Sequence, residues 1–190
     1  MNTRKIHRTV APVLFLPLLV TALTGIGYRV GYAWFNLPRE VAGVFLTIHE
    51  GRFLGRPLVP FYVLFMGLGL LGLIATGVTL LKVRWAAAAR RNPDRPQRRD
   101  WRWVHGVVST IACLPLLVSA ITGITFRLGK AWFNLPQDQA LFLLTLHEGR
   151  YLGSTLRPFY VLAVGLGLVV LLITGLQMTG IFRRKRQISG

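Results

Sequence analysis

The chain is one unit written twice. His7 and His105 stand 98 positions apart (105 − 7), and His49 and His147 are separated by the same interval (147 − 49); no other histidine occurs in the 190 residues. The same interval carries Pro17 onto Pro115, Thr24-Gly25 onto Thr122-Gly123 and Arg29 onto Arg127. It also carries Ala33-Trp34-Phe35-Asn36-Leu37-Pro38 onto Ala131-Trp132-Phe133-Asn134-Leu135-Pro136, and His49-Glu50-Gly51-Arg52 onto His147-Glu148-Gly149-Arg150. The register holds without a gap, with roughly half of the positions identical. Two copies of one sequence fold as two equivalent units. A site that takes one side chain from each copy therefore lies on or near the axis between them.

Composition tells where such a unit folds. The chain is 53% hydrophobic and yet carries a net charge of +17, and the two properties are segregated along it. Four apolar stretches, near 10–29, 61–81, 107–125 and 159–179, each have the ~20 residues that a helix needs to cross a bilayer. The basic charge gathers at Arg4, Lys5 and Arg8, in the stretch 82–102, and at Arg183-Arg184-Lys185-Arg186. Four crossings put all three on one side, which the positive-inside rule makes the cytoplasm. The fold class that follows is an all-α integral membrane protein. It has four transmembrane helices as two tandem helix–short outer helix–helix repeats, with both termini cytoplasmic. The first repeat is read over 1–83, a basic linker over 84–102, the second repeat over 103–182 and a basic tail over 183–190. Anionic lipid headgroups account for the charge, so membrane lipid is the expected partner and nucleic acid is not.

The first stretch follows a short basic segment, as a signal peptide does, but its near-copy inside the chain argues that it belongs to the fold. Cys113 is the single cysteine, lies in an apolar stretch and has Phe15 as its mate; it reads as a packing residue. Each outer segment places an aromatic pair, Trp34-Phe35 or Trp132-Phe133, where the membrane interface suits it. Asn-Leu-Pro then opens a short helix over 38–50 or 136–148. Val41, Val44, Phe45 and Ile48 fall on one face of it, and His49 lies near its end. Pro17 and Pro115 are expected to bend the first helix of each repeat.

The histidine pairs follow from this topology. A full span, about 30 Å of helix, separates His7 from His49, so the two do not share an ion. His7 with His105 can meet on the inner side, and His49 with His147 on the outer side. Two facing imidazoles without a thiolate suit the two axial positions of haem iron, whereas zinc or non-haem iron needs further ligands. Glu50 and Glu148, next in sequence to their histidines, point about 100° away on a helix. The expectation is two haems b, one near each face: His7 and His105 on the inner iron, His49 and His147 on the outer. Arg29, Arg127, Arg52 and Arg150 are the repeated outer cations. They suit haem propionates through the fork geometry of arginine with carboxylate, and they suit phospholipid headgroups equally well. A capping or interfacial role remains the plainer alternative for each histidine.

Gly67-Leu68-Gly69-Leu70-Leu71-Gly72 matches the dinucleotide pattern G-x-G-x-x-G. It lies inside an apolar span and follows no strand, so the context of that motif is missing. These glycines fit close approach of helices or of a flat ring instead. No H-E-x-x-H or G-x-S-x-G occurs.

A histidine opening the first span, Thr24-Gly25 near its outer end, Ile48-His49-Glu50-Gly51 and Thr76-Gly77 in the second span resemble the PepSY-associated transmembrane helix family. The same elements recur at His105, Thr122-Gly123, Leu146-His147-Glu148-Gly149 and Thr174-Gly175. Members include inner-membrane ferric-siderophore reductases of bacteria that carry histidine-held b-type haems. The resemblance implies transmembrane electron transfer from a cytoplasmic or quinol donor to an extracytoplasmic acceptor, either a ferric chelate or a redox protein. It also implies the bacterial plasma membrane as the location. The chain has no long extracytoplasmic PepSY domain, which bears on the siderophore more than on the haems. A non-redox pigment-binding or assembly subunit is the alternative, and whether the chain is itself a ferric reductase stays open.

Overall fold

The computed structural model describes residues 2–90 and 100–179. Residues 91–99 of the 84–102 linker and the whole 183–190 tail lie outside the described residues. Six α-helices follow one another: α1 (Thr3–Trp34), α2 (Arg39–His49), α3 (Val59–Ala89), α4 (Trp101–Trp132), α5 (Gln137–His147) and α6 (Gly153–Thr179). Short 3₁₀ turns at Arg52–Leu54 and Arg150–Leu152 precede α3 and α6. Among the described residues there is no strand, and α1, α3, α4 and α6 are long and apolar enough to cross a membrane.

The helices outrun the apolar stretches. α1 and α4 have 32 residues each, about 48 Å of rise, and Pro17 and Pro115 sit inside them without ending them. α3 continues past residue 83 to Ala89, and α4 already starts at Trp101, so both reach into the stretch read as linker. α1 and α4 end in the same way. Asn36 and Asn134 take φ of 47° and 48°, a left-handed conformation that asparagine tolerates better than other side chains with a Cβ. Leu37 and Leu135 then fold back so that their N–H groups reach the carbonyls of Gly31 and Gly129. The repeats differ at the last span. Arg56-Pro57 in the first copy is a turn, because a residue before proline avoids helix, and α3 starts only at Val59. Ser154-Thr155 in the second copy carries no such restriction, and α6 starts at Gly153.

α1 packs on α3 and α6, and α4 packs on the same two, so α1 and α4 stand on one diagonal of a four-helix bundle. Within the first repeat α1 and α3 run antiparallel in one register. His7 lies beside Thr76, Leu14 against Gly69, and Thr21 beside Tyr62; the residue numbers of each pair sum to 83. Between the repeats, Gly67 of α3 receives Ile124 of α4, and Gly165 of α6 receives Ile26 of α1. A Cβ at either glycine would overlap those isoleucines, so the Gly-x-Gly pattern is a helix-contact surface, as small residues commonly are in membranes. The core is a layer of Leu14, Leu18, Ala22, Met66, Ala112, Leu116, Leu168 and Leu172. Val13, Leu16, Ile111 and Leu114 are each more than 60% exposed on the outside of the same helices. Such apolar exposure is stable where the surroundings are lipid rather than water.

Candidate functional site

Every histidine is held by its Nδ1. His7 Nδ1 lies 2.7 Å from Thr76 Oγ1 and His105 Nδ1 lies 2.8 Å from Thr174 Oγ1. Both threonine hydroxyls donate to their own helix, to Gly72 and Val170 carbonyls at 2.7 and 2.6 Å, so the oxygen is left to accept from the imidazole. His49 Nδ1 donates to the Thr21 carbonyl at 2.8 Å and His147 Nδ1 to the Ser119 carbonyl at 2.9 Å. A carbonyl only accepts. Nδ1 therefore carries the proton in all four rings, and each Nε2 keeps its lone pair, the tautomer that a ligating histidine adopts.

The glycine of each Thr-Gly motif makes room for a ring. A Cβ at Gly25 or Gly123 would stand 3.0 or 3.1 Å from Cε1 of His49 or His147, and one at Gly77 or Gly175 would stand 3.6 Å from Cε1 of His7 or His105. In the second span the threonine of the motif holds the imidazole as well; in the first span a backbone carbonyl does, with Thr122 Oγ1 also 3.4 Å from His147 Nδ1 in the second copy.

α2 and α5 bring the outer pair to depth. On α2 the bundle side is formed by Ala42, buried to 2% exposure, with Phe45 against Gly27 and His49 against Gly25. Val41 and Val44, on the apolar face that the spacing marks, are exposed. Spacing at i, i+3 and i+7 brings Ala42, Phe45 and His49 to one side, and small Gly25 and Gly27 of α1 admit that side rather than the bulkier one. Gly51 and Gly149, at φ of 72° and 66°, turn the chain back beneath Tyr62 and Tyr160. His49 consequently docks at Thr21, eight residues inside Arg29 (29 − 21), or about 12 Å below it. The pair expected at the outer face sits well within the membrane-spanning part.

The His49 and His147 rings come together across the repeat axis, with centroids 6.4 Å apart at 63°. A metal–imidazole bond is about 2 Å, and the ring centre lies roughly 1 Å further, so two imidazoles trans on one ion stand about 6 Å apart. A cavity of about 260 Å³ adjoins them, lined chiefly by apolar side chains of all four long helices; one water needs only ~10–15 Å³. His7 and His105, on the diagonal helices α1 and α4, lie within electrostatic range of each other. His7 and Thr21 are fourteen residues apart on α1 (21 − 7), which sets the two levels about 21 Å apart. Among the described residues no group of three or more His, Cys, Asp or Glu side chains is placed around one ion. The donor set fits a cofactor that brings its own equatorial ligands.

The four outer arginines find carboxylates within the chain. Glu50 takes Arg52 of its own copy at 2.5 Å and Arg127 of the other; Glu148 takes Arg150 of its own copy at 3.0 Å and Arg29 of the other at 3.2 Å. Arg157, whose mate in the first copy is Val59, also reaches Glu148. The glutamates set aside as ligands thus tie the repeats together beside the cavity, a role their sequence position does not reveal. Thr21 and Tyr62 also escaped the sequence reading. The Thr21 hydroxyl donates to the Pro17 carbonyl at 2.9 Å and lies 3.3 Å from the Tyr62 hydroxyl, which donates to it. The only sequence signal for them was recurrence, as Ser119 and Tyr160.

The sequence profile of the PepSY-associated TM region matches residues 31–142. That is 112 of the 190 residues (142 − 31 + 1), and the chain belongs to this family. It is a multi-pass membrane protein built as a duplicated helical bundle. No curated protein and no solved structure matches it.

Thr76→Val leaves the His7 Nδ1 proton without an acceptor, at a cost of about 1–3 kcal/mol. Denaturation in detergent reads the loss, and ¹⁵N shifts of the His7 imidazole should report a mixture of tautomers in place of one.

Proposed function

We propose that the chain carries electrons across the membrane through two b-type haems, His7 and His105 ligating the inner one and His49 and His147 the outer. The observation that carries this reading is the common state of the four rings. Each is pinned at Nδ1 with Nε2 free, and the outer rings stand at the separation of two axial ligands. When bound, the haem supplies a reversible one-electron couple at its iron. A haem held by two imidazoles would have no position open to oxygen or substrate, which favours relay over chemistry at the iron.

The chain's own residues supply position and electrostatics. Thr76, Thr174 and the Thr21 and Ser119 carbonyls fix each imidazole plane and raise its basicity through the Nδ1 hydrogen bond. The apolar lining of Leu18, Met66, Leu116 and Leu168 keeps water from the outer site. Five arginines surround two glutamates there, 5 − 2 = 3 positive charges in excess. That excess is enough to neutralise two propionates and to draw an anionic acceptor such as a ferric chelate. Electrons enter from a cytoplasmic or quinol donor and leave on the outer side. Basic termini and the basic linker support an orientation with both ends in the cytoplasm of a bacterial plasma membrane.

Protein purified from haem-replete cells is expected to show low-spin b-type bands in a reduced-minus-oxidised spectrum, with two redox transitions. His49→Ala should remove one and leave the other. A colourless protein would overturn the reading. Reporter fusions at residue 1 and residue 190 are both expected to score as cytoplasmic; opposite scores would reverse the sides assigned to donor and acceptor.

A further inference from the structure

The two repeats meet along a seam whose contacts come in reciprocal sets. Gly165 receives Ile26, and Gly67 receives Ile124. Arg29 pairs with Glu148 at 3.2 Å, and Arg127 pairs with Glu50. Trp34 meets Phe159 with ring centroids 4.9 Å apart at 59°, and Trp132 meets Phe61 at 5.5 Å and 61°. In each set the second contact is the first with every residue exchanged for its mate 98 positions away. Six residues of the first repeat therefore carry both sides of all three contacts: Ile26, Arg29, Trp34, Glu50, Phe61 and Gly67. All six are identical in the second repeat, although only roughly half of the matched positions are. A surface that meets its own likeness through reciprocal contacts is isologous, the geometry of a twofold dimer.

The inner end departs from this rule. Arg8 of α1 donates to the Thr179 carbonyl of α6 at 3.0 Å. Its mate is Gly106 of α4, and the guanidinium at that corner belongs to Arg84, which arrives from α3 to reach the Arg102 carbonyl. A Cβ at Gly106 would overlap it. One inner corner thus takes its arginine from α1 and the other from α3. Two first repeats placed together would bring Arg8 and Arg84 to the same corner, where like charges repel. We propose that the first repeat is its own partner: it binds a second copy of itself through the outer seam as it binds the second repeat, and Gly106 is where the second repeat is adapted to Arg84. Such a pair sets His7 against His7 of the other copy and His49 against His49, so both histidine levels are completed without a residue peculiar to the second repeat. None of this depends on what the histidines hold.

The test keeps the full chain. In one variant the segment 101–179 is replaced by a copy of 3–81; in a second, 107–179 is replaced by 9–81, which leaves Gly106 beneath Arg84. Size-exclusion chromatography and thermal melting in detergent read folding. A double-mutant cycle of Glu50→Gln with Arg127→Gln reads the seam itself, because these two side chains couple only where the repeats meet. The second variant is expected to elute with the unaltered protein, to melt near it and to show the same coupling. The first is expected to melt lower, because its position 106 then carries arginine against Arg84. Each inserted segment keeps the internal packing of the first repeat, so aggregation of both variants falls on the seam and would overturn the proposal. Coupling absent from the unaltered protein or from the second variant would overturn it as well. A first variant at least as stable as the second would overturn the part given to Gly106.

Discussion

An N–H group inside a bilayer has no water to turn to, so each imidazole of this protein must find an acceptor within the bundle. That requirement organises much of what surrounds the rings. The Thr76 and Thr174 hydroxyls are turned to accept because they have already donated to their own helices. The Thr21 and Ser119 carbonyls are free to accept a further bond because a carbonyl oxygen has two lone pairs. Glycine stands next to the His49 and His147 rings because a Cβ at Gly25 or Gly123 would press on Cε1. The antiparallel register of α1 on α3, with paired numbers summing to 83, brings acceptor, ring and glycine to one level at His7, and the docking of α2 on α1 does the same at His49.

The duplication acts through this arrangement. Neither repeat places two imidazoles at one level, since His7 and His49 are held about 21 Å apart along α1. Only the partner repeat, entering diagonally, completes a pair. The same exchange is seen in the charges, where each glutamate is shared between its own arginine and one from the other copy. It is seen again at the rim, where Trp34 meets Phe159 at 4.9 Å and Phe61 meets Trp132 at 5.5 Å. An interface with ion pairs, aromatic contacts and isoleucine-into-glycine packing on both sides makes the two repeats one cooperative body.

Much of the candidate site was legible in the sequence. Four histidines at one offset, the Thr-Gly pairs and the Arg–Glu neighbours all stood out as repeated letters. Others did not. Tyr62 and Thr21 looked like ordinary members of apolar spans, and their part emerged only when α1 and α3 were laid side by side. Glu50 was set aside as a ligand by its angle on a helix, and the structure brings it to Arg127, a residue 77 positions on. Periodicity left the packing of α2 undecided for a related reason. It marks which residues share a face, yet the neighbour decides which face is packed, and Gly25 with Gly27 select Ala42 and Phe45 over Val41 and Val44.

By itself, then, the sequence determined the class of the molecule: apolar length, segregated charge and exact recurrence allow little besides a duplicated four-span bundle. It also determined which residues come in pairs. Tertiary structure decided how deep the outer histidines dock, which nitrogen of every ring carries the proton, and that the arginines meet glutamates of the opposite repeat. These are matters of distance between segments far apart in the chain. Hydropathy and spacing are local quantities, blind to which carbonyl or carboxylate the fold brings within 3 Å of a given side chain.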